Sequence, residues 1–235
     1  MKYILSFLTL LLFSQKEDSR KVYKDGEFIY TVGIIKNNKK LYVKFNSPRY
    51  LIMDENGNSN REELNNAWEL IENKEQKNTV AYIGLKILGG IINGNQKTMQ
   101  WNYYDSNFSK IDEAITGLIE NDSRVWLHPP RVKFFKILEI NPFPEIRLDK
   151  ENWTSTLKVG EQWGNKAWKT WTGNATINSN YVCNKKEGII TATSNSKLGN
   201  TKLVAVFNED KGFTKLNYTN IDGSILILDL VKKKE

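Results

Sequence analysis

Residues 202–230 read KLVAVFNEDKGFTKLNYTNIDGSILILDL. Three runs rich in β-branched, aromatic and aliphatic residues, Lys202–Asn208, Phe213–Tyr218 and Ser224–Leu230, are separated by Lys211-Gly212 and Asp222-Gly223, dipeptides that favour tight turns. Turns at roughly ten-residue spacing mark an antiparallel meander of the kind that builds sandwiches and barrels. The same pattern extends upstream through Trp153–Val159, Lys166–Gly173, Ala175–Val182 and Ile189–Ser194. Two earlier runs are also expected as strands, Arg124–Leu127 ending at His128-Pro129-Pro130 and Phe134–Ile140 ending at Asn141-Pro142-Phe143-Pro144, because proline cannot donate to a ladder.

Toward the N-terminus, Gly26–Ile35 and the alternating Leu41–Phe45 form an expected hairpin with Asn37-Asn38 at its tip. Arg49–Met53 is expected as a third strand, ended by the turn Asp54–Asn58. Two segments carry helical spacing instead. Asn60 with Glu63 opens a helix over 61–73 whose Leu64, Ala67, Trp68 and Ile71 share a face. Ser109 with Asp112 opens a second, ending near Asn121, with Ile111, Ala114, Ile115, Leu118 and Ile119 as its stripe. Between the two, Thr79–Ile92 is expected as strand interrupted at Gly89-Gly90. The fold class is mainly β: a curved antiparallel sheet, or an open or half β-barrel, with one or two short helices.

The opening segment has a different chemistry. Met1-Lys2-Tyr3 is a short positive start, and Ile4–Phe13 is an apolar run too short for the ~20 residues a membrane helix needs. Residues 1–14 therefore read as a signal peptide with Ser14-Gln15 as its cleavage point, and 15–235 as one β-rich domain delivered to the periplasm or outside the cell, its first residues, Gln15–Lys21, charged and loosely held. No cysteine lies beside the apolar run, so a lipid-modified start is not expected. Composition agrees with a packed domain: 40% of residues are apolar and 26% charged, with only 5 Pro and 15 Gly, and the 7 Trp, 10 Tyr and 10 Phe suit pleated surfaces. The net charge of +7 comes from lysines scattered along the chain, Lys232–Lys234 being their one tight run, with no nucleic-acid-binding signature beside them. Cys183 is the only cysteine, which excludes an internal disulfide, and in Tyr181-Val182-Cys183 it reads as an ordinary strand residue.

Two places concentrate side chains able to hold a ligand. In Val125–Arg131, an aromatic (Trp126), the only histidine (His128) and a guanidinium (Arg131) flank two rigid prolines, a set able to hold an anionic head group; the alternative is a strand end at which Trp126 packs and His128 caps a polar group. Trp163, Trp168 and Trp171, with Trp153, crowd into one short stretch. Exposed indoles stack on sugar rings and buried ones line greasy cavities, although on a strand Trp168 and Trp171 face opposite sides and Trp153 reads as structural. One histidine cannot make a multi-histidine metal site, and no HExxH, paired-cysteine or calcium-loop pattern occurs, so neither a metal nor a cofactor is expected. Acidic residues such as Glu139, Glu145, Asp149, Glu151 and Glu161 have no spacing that pairs them for glycosidase chemistry, and no GxSxG or SxxK pattern occurs.

Three runs, Trp126–Arg131, Glu139–Pro144 and Gly212–Tyr218 leading to Asp222-Gly223-Ser224, resemble uncharacterised exported β-domain families of Gram-negative bacteria. The resemblance covers the last half of the chain. It implies a curved antiparallel half-barrel, similar in shape to periplasmic lipid or lipoprotein carriers, with a concave apolar face and no catalytic residue to carry over. The expectation is a monomeric, non-enzymatic binding protein holding a lipid or another apolar or amphipathic small molecule, with no nucleic-acid partner and no stable membrane insertion once the leader is gone. A carbohydrate-binding or surface-interaction module using exposed tryptophans is the first alternative. A hydrolase of unfamiliar type, with His128 or a carboxylate pair in a cleft, is the second.

Overall fold

The computed structural model describes residues 22–24, 26–46, 68–75, 77–160 and 175–234. The expected leader, the strands at 49–53 and 166–173, residues 61–67 of the first expected helix, and Trp163, Trp168 and Trp171 lie outside these residues.

Strand β1 (Glu27–Lys36) turns at Asn37-Asn38 into β2 (Lys39–Phe45). Both asparagines adopt positive φ, 51° and 60°, the left-handed pair that a two-residue hairpin loop requires. β2 pairs in turn with β3 (Trp68–Ile71), Phe45 opposite Trp68, so the tail of the expected helix 61–73 is strand. The main sheet takes β1 as its centre. On one side run β4 (Tyr82–Ile92), β5 (Gln96–Tyr104), β6 (Lys110–Glu120), β7 (Arg124–Leu127) and β8 (Glu145–Arg147). On the other run β14 (Ile225–Lys234), β13 (Gly212–Thr219), β12 (Gly199–Asn208), β11 (Ile189–Ser196), β10 (Ala175–Asn184) and β9 (Asn152–Val159). Among the described strands the two meanders join through β1, which pairs β4 over Glu27–Thr31 and β14 along nearly its whole length. The result is a curved, antiparallel, mostly β structure, open between β8 and β9.

Alternation sets the two faces. In β10 every second residue, Ala175, Ile177, Ser179, Tyr181 and Cys183, is buried, while Thr176, Asn178 and Asn180 are exposed. The inner face of the other strands supplies Trp101, Tyr103, Leu203, Phe213, Leu216, Tyr218 and Leu228, all fully buried. Two buried tyrosines, Tyr23 and Tyr30, find partners on a distant strand. The Tyr30 hydroxyl donates to the Phe213 carbonyl and the Tyr23 hydroxyl accepts from the Phe213 N–H.

Two further segments differ from expectation. Residues 110–120 are not a helix but strand β6, registered against β5 from Lys97 opposite Leu118 to Tyr104 opposite Lys110. The turn before it is organised by the Asp105 carboxylate, which accepts from the Asn107 and Ser109 N–H groups, and not by a Ser109 cap. Near its end both faces of β6 are covered, so Leu118 and Ile119 are both buried and the apolar positions imitate a helical stripe. Ile115, which a helix would have placed on that stripe, is 51% exposed.

The second correction concerns 134–140, which is a 3-10 helix, Lys133–Ile140, and not a strand. Prolines on both sides keep this stretch out of the ladder, and the chain crosses the interior of the curved sheet instead. Phe134, Phe135, Ile137, Leu138 and Ile140 are all buried, which in sequence looks the same as a strand covered on both faces. Tyr103 anchors its start by accepting the Arg131 and Val132 N–H groups, and the Trp101 indole donates to the His128 carbonyl. Its end is tied across the molecule, Asn141 Nδ2 donating to Asn220 Oδ1 at 2.8 Å. The chain thereby fills much of its own concave face.

Candidate binding cleft

The sheet's two free ends do not seal against one another. Between β6–β8 on one side and β9–β10 on the other lies a cleft of about 230 Å³. Alternation brings Ile119, Trp126 and Glu145 to one wall, since Trp126 stands opposite Ile119 in one ladder and Glu145 in the next. The opposite wall carries Ser155, Leu157, Ser179 and Tyr181 from the inner face of β9 and β10. The returning chain closes the back with Asn141 and Phe143, placed by the flanking Pro142 and Pro144.

One wall of the cleft is aromatic. Trp126 and Phe143 rings lie 5.5 Å apart, and His128 packs edge-on against both, 6.3 Å from the first and 5.1 Å from the second. The Tyr181 hydroxyl is already committed, donating to the Phe143 carbonyl, and its ring stacks on Trp153 at 5.0 Å. The polar side has two components. Glu145, 1% exposed, accepts from Arg147 Nε at 2.9 Å and lies 3.8 Å from Arg124, both at Oε1, so one carboxylate oxygen is shared by two cations. Asn141, also 1% exposed, spends both amide hydrogens on Ile137 O and Asn220 Oδ1. Its Oδ1 has no hydrogen-bond partner among the described residues. A buried amide oxygen left unpaired is costly unless something supplies a donor.

Behind the aromatic wall His128, Arg131 and Glu139 form a second cluster. Pro129 O lies 2.8 Å from His128 Nδ1 and can only accept, so Nδ1 carries the proton and the bare Nε2 faces Glu139 Oε1 at 3.9 Å. Arg131 Nε reaches the same carboxylate oxygen at 3.1 Å. Burial pushes the imidazole down from 6.5 to about 4, the nearby Arg131 adding to the effect against the Pro129 hydrogen bond. Burial also raises the Glu139 carboxyl, against the pull of Arg131 and Lys136.

Of the residues singled out in the sequence, Trp126 lines the cleft and His128 supports it from behind. Arg131, its side chain 46% exposed, points instead to Glu139. Trp163, Trp168 and Trp171 fall outside the described residues. Arg124, Asn141, Glu145, Ser179 and Tyr181 come together only through the fold. The one local sign of them is the Asn141–Glu145 run, whose alternating prolines force an extended path back to the sheet. Among the described residues no group of three His, Cys, Asp or Glu could hold a metal ion, and no helix is long and apolar enough to cross a membrane.

No protein-family model matches the chain, and no curated protein matches it. Among solved structures it is similar to a protein of Bacteroides fragilis that is proposed to be exported and has a YmcC-like fold, with 10% identity over 89% of this chain and 97% of that chain and a TM-score of 0.35.

Proposed function

We propose that this chain is an exported binding protein that takes a small amphipathic molecule, one with an apolar face and a hydroxyl-bearing edge such as a saccharide ring, into the cleft between the two ends of its sheet. The observation that carries the reading is the unpaired, buried Asn141 Oδ1 in the same cleft as the half-buried Trp126 ring. A ligand hydroxyl would satisfy the first and a ring face would cover the second. The Arg124–Glu145 pair and the Ser155 and Ser179 hydroxyls add donors and acceptors around it. Size supports a small ligand over a long acyl chain, because about 230 Å³ falls below the ~300–1,000 Å³ of drug-sized pockets and the concave face is occupied by Phe135, Ile137 and Leu138. Export rests on the positive start and apolar run of residues 1–14.

The test is a tryptophan-fluorescence titration of the protein with a panel of soluble mono- and disaccharides, in wild type and Trp126→Ala. At least one sugar is expected to give saturable binding that weakens about ten-fold in the variant, equivalent to about 1.4 kcal/mol. Saturable binding of equal strength in both proteins, or binding by none of the panel, would contradict the saccharide reading.

A further inference from the structure

We propose that the ligand of the cleft is a sugar acid, a pyranose whose ring-bound carboxylate is held by Arg124, an assignment that rests on the saccharide reading of the cleft. Among the lining residues only Arg124 and Glu145 carry charge, and the β9–β10 wall is uncharged. The β7–β8 ladder sets Arg124 opposite Arg147 and Trp126 opposite Glu145, so two guanidiniums meet one carboxylate. Arg147 Nε takes Glu145 Oε1 at 2.9 Å, and Arg124 comes only to 3.8 Å of the same oxygen, too far for a hydrogen bond. Both ion pairs that these guanidiniums make among the described residues end on that oxygen. Of the other acids close to them in sequence, Glu120 is spent on the Val22 and Tyr23 N–H groups, and Asp122, Asp149 and Glu151 stand exposed to water on loops. Arg124 therefore brings to the cleft a planar fork of donors with no hydrogen-bond partner among the described residues.

A guanidinium fork fits a carboxylate through two parallel N–H···O bonds, and such charge-assisted bonds are stronger than those a neutral hydroxyl accepts. Spacing says where on the ligand the carboxylate sits. Arg124 and Trp126 lie two residues apart on one face of β7, one pleat repeat of roughly 6.6 Å. With the sugar ring on the indole, a carboxylate bonded directly to the ring comes within reach of the fork, and a ring hydroxyl is left to donate to Asn141 Oδ1. The ligand carboxylate then completes a set of two arginines and two carboxylates. A phosphate monoester fits less well, because its second negative charge would find no further cation among the lining residues.

Calorimetric titration with matched pairs, glucuronate beside glucose and galacturonate beside galactose, tests the assignment, with glucose 6-phosphate as a third acid. In wild type at low salt the acid of at least one pair is expected to bind about ten-fold tighter than its neutral partner. Added salt should shrink that advantage. The readout is the ratio of affinities within a pair, which a general weakening of the cleft does not move. Arg124→Gln should bring the ratio to about one, and Arg124→Lys, which keeps the charge without the fork, should leave a smaller advantage than wild type. Equal binding within each pair, an advantage that survives Arg124→Gln, or tighter binding of glucose 6-phosphate would overturn the sugar-acid assignment while leaving a saccharide cleft in place. Binding by no member of either pair would contradict the saccharide reading itself and remove this assignment with it.

Discussion

His128 keeps 14% of its side chain exposed and has its proton on Nδ1, with Glu139 Oε1, 3.9 Å from Nε2, beyond hydrogen-bonding distance. Its value falls from 6.5 to about 4 on folding, so between these limits the unfolded chain takes up a proton that the folded chain refuses. Stability from this group is complete above pH 6.5 and falls by about 3 kcal/mol as the pH drops toward 4. Glu139 works in the opposite sense, because its raised carboxyl binds a proton more readily when folded and returns stability on acidification. His128→Gln removes the first contribution and leaves the second. Urea melts between pH 7 and 4 should therefore lose stability more steeply in wild type than in the variant; parallel pH profiles would contradict the buried neutral imidazole. At this scale the sequence was only partly legible. It pointed to Trp126 and His128 because aromatic, imidazole and prolines sit side by side, but Asn141 and Glu145 acquire their roles from partners such as Asn220 and Arg124 that only the fold supplies.

Among the elements, hairpins were the most readable. Asn37-Asn38 and Asp222-Gly223 announce their turns through residues that tolerate positive φ, and β10 shows its two faces by strict alternation. β6 and the 3-10 helix misled for one common reason, burial on more than one side. Periodicity identifies an element only when one face meets water, and where Leu118 and Ile119 are both covered, or Phe134–Ile140 lies in the interior, the period carries no information. The placement of the 3-10 helix yields a stability prediction. Leu138→Ala empties space at the centre of the curved sheet and should cost about 2–5 kcal/mol, whereas Ile115→Ala on the outer face of β6 should stay within about 0.5 kcal/mol. Denaturant unfolding of the two variants checks both assignments at once, since a helical 110–120 would reverse the outcome for Ile115.

For the whole molecule, the general class was readable and the topology was not. Turn spacing indicates a curved antiparallel sheet, yet nothing local says that the first described strand, β1, lies between two meanders and pairs with β14, the last, on one side and β4 on the other. That closure, with the curvature, sets the β7–β8 end opposite β9–β10. It also explains why the interior is not free for a long apolar ligand: the chain between β7 and β8 runs through it. The claim that depends on all of this is that the ligand sits between the ends of the sheet and is small and amphipathic. Native mass spectrometry of the protein recovered after export, wild type beside Trp126→Ala, tests it most directly. Wild type should carry a small amphipathic adduct that the variant loses; a long-chain lipid adduct, or one that survives Trp126→Ala unchanged, would contradict this placement of the ligand.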